Sequence, residues 1–501
     1  MAIETELKLR IAPEHLTKLR RHALFKAHQI ERPVSRRLHN IYYDTPTLQL
    51  HDRKMALRLR RSRGQWLQTL KGGGSVKAGL HQRNEWEIPV PTAALDFSRL
   101  ETAVWDEQLP SDIRSALTPV FVTDFYRSSR ILDWHGAKIE LCIDHGEVST
   151  TQQHTPICEL ELELKSGEPQ QLFELAMAIL EIVPFELELV SKAERGFHLL
   201  SGYVEQPVKS EHLDFARSDS LPDVLQTLIW SCVWHLQRNI HGALHSDDAE
   251  YLHQMRIGLR RLRVALRMAE KLCADATLAA LRQEIAMLGK ALGRIREWDV
   301  FISEIVEAPA LAEHLEVQAL LACSVRQRAE CCVVLSGAGQ GRALQQLLLR
   351  FAHWMNSAYW QQAAAASPSS RHFASQYLKQ LAKRYHHAIA HLDKHDMVSL
   401  HLLRILAKKL RYGSEFFVTL YDKHAAQTYL SALGEVQDVL GQIHDLVVAH
   451  RLLGDLAADP ALSAQQTIIV SVNHQLAKKV AVKIKSLQKS IKHLSQQREF
   501  W

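Results

Sequence analysis

The sequence predicts an α+β chain, with a β-rich first part reaching to about residue 200 and an all-α remainder. Three observations carry this. Short segments of the first part alternate apolar and charged residues with period two, as in PICELELELK at 156–165. After the polar, two-proline stretch 201–222 the apolar period becomes 3.6. Within the helical part, one motif recurs at an offset of 148 residues.

Taken in order, IETELKL, MALRLRR, WLQTLK, RNEWEIPV, AKIELCIDHGEV and CELELELK read as short strands, separated by clusters such as KGGGSVKAG. The spacing predicts helices at 13–27, 98–117 and 168–182, the first opening on Pro13-Glu14. The boundary is expected in a linker at 202–220, giving domains 1–201 and 221–501. Loops are expected near 336–341 and 363–370.

Side chains of a strand point alternately to its two faces. By that parity Glu4, Glu6 and Lys8 share a face. So do Arg58 and Arg60, Thr69 and Lys71, Arg83, Glu85 and Glu87, Lys138, Glu140 and Asp144, and Glu159, Glu161 and Glu163. The other parity is aliphatic. A sheet with one wetted face fits this pattern. So does a closed barrel whose charged face is the lumen. In the second case arginines and lysines would take phosphate oxygens, and carboxylates would take a hard divalent cation. No Ser-His or Cys-His pair shares this face, which argues for direct attack by water rather than a covalent intermediate.

The 501 residues carry 61 Lys+Arg and 55 Asp+Glu, but unevenly. Residues 1–205 are net −2 and the remainder is net +8, with 18 of the 28 histidines. A basic, His-rich second half suggests an anionic partner. No apolar run is long enough to span a bilayer, and the N-terminus lacks an apolar signal core. Seven scattered cysteines suit a reducing compartment, so a cytoplasmic location without a membrane partner is expected.

Glu4-Thr5-Glu6-Leu7-Lys8 is similar to the ExExK signature of the CYTH superfamily of triphosphate tunnel metalloenzymes. It is joined in order by NIYYDTP, LRLR, TLK, GLHQRNEWE, TDFYR, IELCID, ICELELEL and SKAERG, covering nearly all of 1–201. The resemblance implies an eight-stranded antiparallel β-tunnel with covering helices that cradles a triphosphate. It implies substrate contacts from Lys8, Arg58, Arg60, Lys71, Arg83, Arg127 and Lys192, and Mg2+ or Mn2+ held by Glu4, Glu6, Asp144, Glu159 and Glu161. Glu4, Glu6 and Lys8 would form the catalytic group. Glu163 shares the acidic face farther along. Arg130 falls on the opposite parity from Arg127, and Lys165 continues the acidic face towards the outside. His39, His81 and His145 read as surface or hydrogen-bonding residues.

The second half resembles a CHAD domain. H-x-x-R-I-x-x-basic-basic-L-R runs from His253 to Arg263 and again from His401 to Arg411, while LGRIRE (292–297) returns as LGQIHD (440–445). His253, Arg256, Arg260 and Arg263 form one helical stripe, and His401, Arg404, Lys408 and Arg411 a second. The resemblance implies an all-α duplicated bundle that binds inorganic polyphosphate. The tail adds Lys478, Lys485, Lys489 and Lys492 on one helix face. Aromatics are sparse on the stripes, which disfavours nucleic acid. The expected activity is metal-dependent hydrolysis of inorganic triphosphate. The competing readings are a polyphosphate-binding module with weak phosphatase activity, a nucleoside or thiamine triphosphatase, and an adenylate cyclase.

Overall fold

The structure is a computed structural model describing residues 2–98, 109–272, 275–307, 315–336, 338–364 and 368–501. It divides into two compact units. One is Met1–Gln206 with Gly341–Ser357; the other is Pro207–Gln340 with Ala358–Trp501. Gly341–Ser357 groups with the first unit, although it lies within the 221–501 stretch.

That unit is built on eight antiparallel strands: β1 (Ala2–Arg10), β2 (Val34–Asp44), β3 (Met55–Ser62), β4 (Gln65–Lys77), β5 (Leu80–Val90), β6 (Thr118–Trp134), β7 (Ala137–Ser149) and β8 (His154–Ser166). Their order is β5-β4-β3-β2-β6-β7-β8-β1, and β1 also pairs with β5, so the sheet closes into a barrel. A two-residue strand, β9 (Glu186–Leu187), adds to the end of β1 at Leu9 and Arg10. An eight-stranded barrel leaves an interior that side chains can fill or that can hold one small ligand.

The aliphatic parity forms the outer core. Leu7, Leu9, Leu160 and Leu162 are fully buried, beneath helix α1 (Pro169–Leu180), which packs on β1 and β8. Pro169 at the first helical position and the Glu168/Gln171 capping box fix where this helix starts. Each such leucine contributes about 1.5–3 kcal/mol. At one end the lumen parity also turns apolar: Leu38, Phe121, Val148 and Ile157 cluster with Ala193 and Phe197 of helix α2 (Lys192–Ser201). Helix α2 therefore stoppers the barrel rather than covering its outside. The fit is close, since a Cβ on Gly196 would lie 2.2 Å from the Phe121 ring.

Several local expectations change. The 13–27 helix is a 3-10 turn (Pro13–His15) and two short helices, broken at His22, whose extended ψ of 139° starts a new helix. Of the 98–117 helix, 99–108 lie outside the described residues; Ser111–Ser115 is helical and Thr118 already begins β6. KGGGSVKAG separates strands only at its end, where Ala78-Gly79 turns the chain into β5. Gly72, Gly73 and Gly74 lie within β4 at a bulge between Gly72 and Ser75. Gly74 (φ 106°) must be glycine, because a Cβ would meet the Gln82 carbonyl at 1.9 Å.

The second unit is helical: α3 (Leu221–Gln237), α4 (Ala249–Ala269), α5 (Ala276–Phe301) and α6 (Leu315–Ser336) come first. Next, α7 (Ala338–Met355) supplies the segment that belongs to the barrel unit, where the Gln345 side chain accepts a hydrogen bond from Leu187 N at 3.1 Å. It also occupies 338–341, where a loop was expected; residue 337 is outside the described residues. Then follow α8 (Ser370–Ala390), α9 (Met397–Phe417), α10 (Lys423–Ala457) and α11 (Gln466–Ser495). Of the expected 363–370 loop, 365–367 lie outside the described residues. Residues 363–364 end a short helix, and α8 starts at Ser370 behind a Ser369 cap. Shifted by 148, α3–α6 start within three residues of α8–α11, and α4 maps onto α9 end for end. No helix among the described residues is long and apolar enough to cross a membrane.

Candidate active site

The barrel lumen encloses a cavity of about 230 Å³ lined by charged side chains. Strand register places them in rows. One row crosses β1, β8, β7 and β6 as Arg10, Glu159, Asp144 and Arg127; the next begins Lys8, Glu161, Cys142; a third is Glu6, Glu163, Glu140. The third row sets three carboxylates directly side by side, an arrangement that destabilises a sheet unless a cation intervenes.

Glu4, Glu6, Lys8, Arg58, Arg60, Lys71, Arg83, Arg127, Glu161 and Lys192 all line the cavity, as do Glu85, Glu87, Glu140 and Glu163. Asp144 and Glu159 lie beneath this wall, both 0% exposed. Arg127 grips Asp144 through two parallel bonds, from Nε at 2.8 Å and Nη2 at 2.6 Å, and also pairs with Glu161. The Lys192 ammonium sits among Asp144 (2.7 Å), Glu161 (2.9 Å) and Glu159. Lys8 lies 2.5 Å from Glu161 and 2.8 Å from Glu6, and Lys71 pairs with Glu4.

Burial alone would discharge these groups, but their partners outweigh it. Burial pushes the Glu161 carboxyl up, yet Lys192, Lys8 and Arg127 hold it well below the usual range. Glu4 is likewise lowered, by Lys71 against its own burial. Lys8 and Lys192 are buried but raised by their carboxylates. Glu163 goes the other way. Burial raises it, Lys165 opposes only in part, and Glu4 and Glu140 push it further up. Arg60 falls to about 10 through burial and the nearby Arg58 and Arg127.

Lys165 and Arg130 fall on different sides of the barrel wall. Lys165 lines the cavity mouth and pairs with Glu163 and Glu140. Arg130 lies outside the lumen, 5.6 Å from the Phe25 ring centroid. Sequence reading missed Arg36 and Tyr42 of β2, which line the cavity, and Arg195, which pairs with Glu159 (2.5 Å) and Glu188 (3.1 Å). The doubled Arg36-Arg37 and Tyr42-Tyr43 mask the alternation of β2. Arg195 follows Lys192 by three, a helical neighbour that strand parity cannot register. His81 is buried, its Nε2 donating to the Glu188 carbonyl at 3.1 Å. That leaves Nδ1 as a bare lone pair.

A hard divalent cation fits this donor set. The carboxylates of Asp144, Glu159 and Glu161 bring ligand atoms within 4.8 Å of one another, and an ammonium already occupies the space among them.

In the helical unit, His253, Arg256 and Arg260 of α4 and Arg404, Lys408 and Arg411 of α9 line one groove of about 610 Å³. His401 is exposed beside it, its ring 5.5 Å from that of His444. Arg263 lines an adjoining cavity with Arg267 and Lys409. Arg411 is tied to Glu415 at 2.8 Å and Gln437 at 2.9 Å. Arg261 pairs with Glu415 at 3.2 Å and stacks over Phe416. The groove also takes Arg296, Glu297, His444 and Asp445, the last two residues of each LGRIRE/LGQIHD segment. That repeat signalled the duplication, and it also marked groove residues. The four tail lysines are exposed on α11 and line none of these cavities.

Residues 2–197 match the CYTH domain family and residues 227–454 the CHAD domain family. This chain carries a CYTH domain followed by a CHAD domain. Over 208 residues it is 38% identical to a protein named inorganic triphosphatase from Haemophilus influenzae, covering 40% of this chain and 55% of that one. The chain thus spans about half the length of the relative it matches. The crystal structure of the CHAD domain from the plant Ricinus communis aligns with a TM-score of 0.51 at 29% identity, over 60% of this chain and 99% of that one. The CYTH domain holds the charged lumen, and the CHAD domain holds the basic groove.

Proposed function

We propose that the CYTH domain hydrolyses inorganic triphosphate to pyrophosphate and phosphate with Mg2+ or Mn2+, and that the CHAD domain binds inorganic polyphosphate. One observation supports the first part most directly: nine cations and a row of carboxylates share a lumen sized for one small ligand. The 38% identity to a protein named inorganic triphosphatase supports the same reading.

Lys8, Arg58, Arg60, Lys71, Arg83, Arg127 and Lys192 take phosphoryl oxygens, the arginines through paired N–H donors. Lys8, Arg58, Lys71, Arg127 and Lys192 leave a carboxylate to do so, so bound substrate replaces existing charge pairs. Glu4, Glu6, Asp144, Glu159 and Glu161 would hold the cation, with Glu163 completing the Glu6 row. The cation neutralises the triphosphate's charge, a recurring requirement of phosphoryl transfer. Glu4 and Glu6 orient the attacking water and accept its proton. Lys8, paired with Glu6, steadies charge on the departing pyrophosphate. Asp144 and Glu159 also anchor Arg127, Lys192 and Arg195 from below.

The test is phosphate release from tripolyphosphate, ATP, thiamine triphosphate and pyrophosphate, each with Mg2+ or Mn2+. Tripolyphosphate should turn over fastest. Faster turnover of ATP, or formation of cyclic AMP, would overturn the assignment.

A further inference from the structure

The two stripes of the groove are related position for position. His253 corresponds to His401, Arg256 to Arg404, and Arg263 to Arg411, with identical residues in each pair. Only one pair differs: Arg260 corresponds to Lys408. An arginine stays charged in proteins, whereas a lysine amine can shed its proton and become a nucleophile. Lys408 sits where such a change would matter. It lines both the main groove and its adjoining lobe. It makes no ion pair or hydrogen bond among the described residues. Arg256 Nη1 and Arg404 Nε beside it are buried donors without partners. Arg256, Arg260, Arg404 and Lys408 line this groove together, and no carboxylate is bonded to the Lys408 amine.

We propose that Lys408 is an acylation site for small acyl phosphates, whose phosphoryl group Arg256, Arg260 and Arg404 hold while the amine attacks the acyl carbon. The Lys408 nitrogen forms the amide bond, the carbon–oxygen bond to phosphate breaks, and the amine's proton leaves with inorganic phosphate. No other reactant is needed.

The electrostatics favour the reactive form. Burial and the cations Arg260, Arg404 and Arg256 press Lys408 down to about 6, with Asp445 opposing. The groove is lined as well by Asp438, His444 and Asp445 of α10, by Arg296 and Glu297 of α5, by His253 and Arg261 of α4, and by Arg411, Tyr412 and Glu415 of α9. A lysine beside other cations is activated in this way as a nucleophile. Acylation would make Lys408 permanently neutral, weakening the groove for any polyanion. The inference rests on the groove accepting phosphoryl groups and stands whether or not polyphosphate is its ligand.

The full chain is treated with acetyl phosphate at pH 7.5, and acetylation of each lysine is followed by peptide mass spectrometry. Lys408 should label at least tenfold faster than the exposed Lys485 and Lys489. Arg404→Gln should remove most of that excess. Labelling of Lys408 by N-hydroxysuccinimidyl acetate, which has no phosphoryl group, should change less than twofold in the same variant. Lys408→Arg confirms the peptide assignment. The proposal fails if Lys408 labels no faster than Lys485, or if its advantage survives Arg404→Gln in a variant whose circular dichroism is unchanged.

Discussion

The barrel lumen and the helical groove are both lined with arginine and lysine, yet they handle the charge in opposite ways. In the lumen most cations are matched, Arg60 being an exception pressed down by Arg58 and Arg127: Lys192 sits among three carboxylates and Arg127 grips Asp144 with two bonds. In the groove Arg256, Arg404 and Lys408 line one cavity, and burial together with repulsion, first of all from Arg260, presses all three below their ordinary values. A matched site is preorganised, and its ligand must exchange partners. An unmatched site stores repulsion that an anion relieves on binding. The first suits chemistry on one bound molecule; the second suits capture of many anions of varied length.

The largest way to break this contrast is through the lumen's acids. Glu6→Gln should lower tripolyphosphate turnover by about 10²–10³, the scale of losing one preorganised electrostatic group, while tripolyphosphate binding falls much less. Turnover that persisted would show that the water's proton goes elsewhere. Next in size is stability. Glu159→Ala leaves Lys192 and Arg195 without their buried partner and should cost about 3–5 kcal/mol. Arg404→Ala in the groove removes repulsion and should leave thermal stability unchanged or raised. Equal losses in calorimetry would mean the two sites are not different in kind.

The smallest effect is protonic. Lys408 is largely neutral in the empty groove above about pH 6. A bound polyanion favours its charged form, so binding should take up a proton above that pH, and affinity should fall as pH rises. Titration calorimetry at pH 8 in buffers of differing ionisation enthalpy should register this uptake. Lys408→Arg, which stays charged, should abolish the lysine's share. Unchanged proton uptake in that variant would assign the effect to His253, His401 or His444.

Much of this was legible in the chain. Strict alternation exposed β1, β3, β7 and β8, because each has one aliphatic and one charged face. The same rule failed on β2, where paired arginines and paired tyrosines put similar residues on both faces. It also failed on the end of the lumen, since Leu38, Phe121, Val148 and Ile157 look like outer core until α2 is seen to fill that end. Helix 13–27 was misread because its break at His22 is one residue's backbone choice. Arg195 was hidden because its partner Glu159 lies 36 residues earlier on a strand. Where the contact is set by packing rather than by period, no local pattern could announce it.

The α2 stopper also makes the two ends of the lumen chemically unlike. Phe197, Phe121 and Ile157 crowd one end with apolar side chains, whereas the carboxylates and cations gather beyond it. A highly charged ligand finds no partner at the apolar end, so the stopper acts as a depth gauge that sets how far such a ligand can run in.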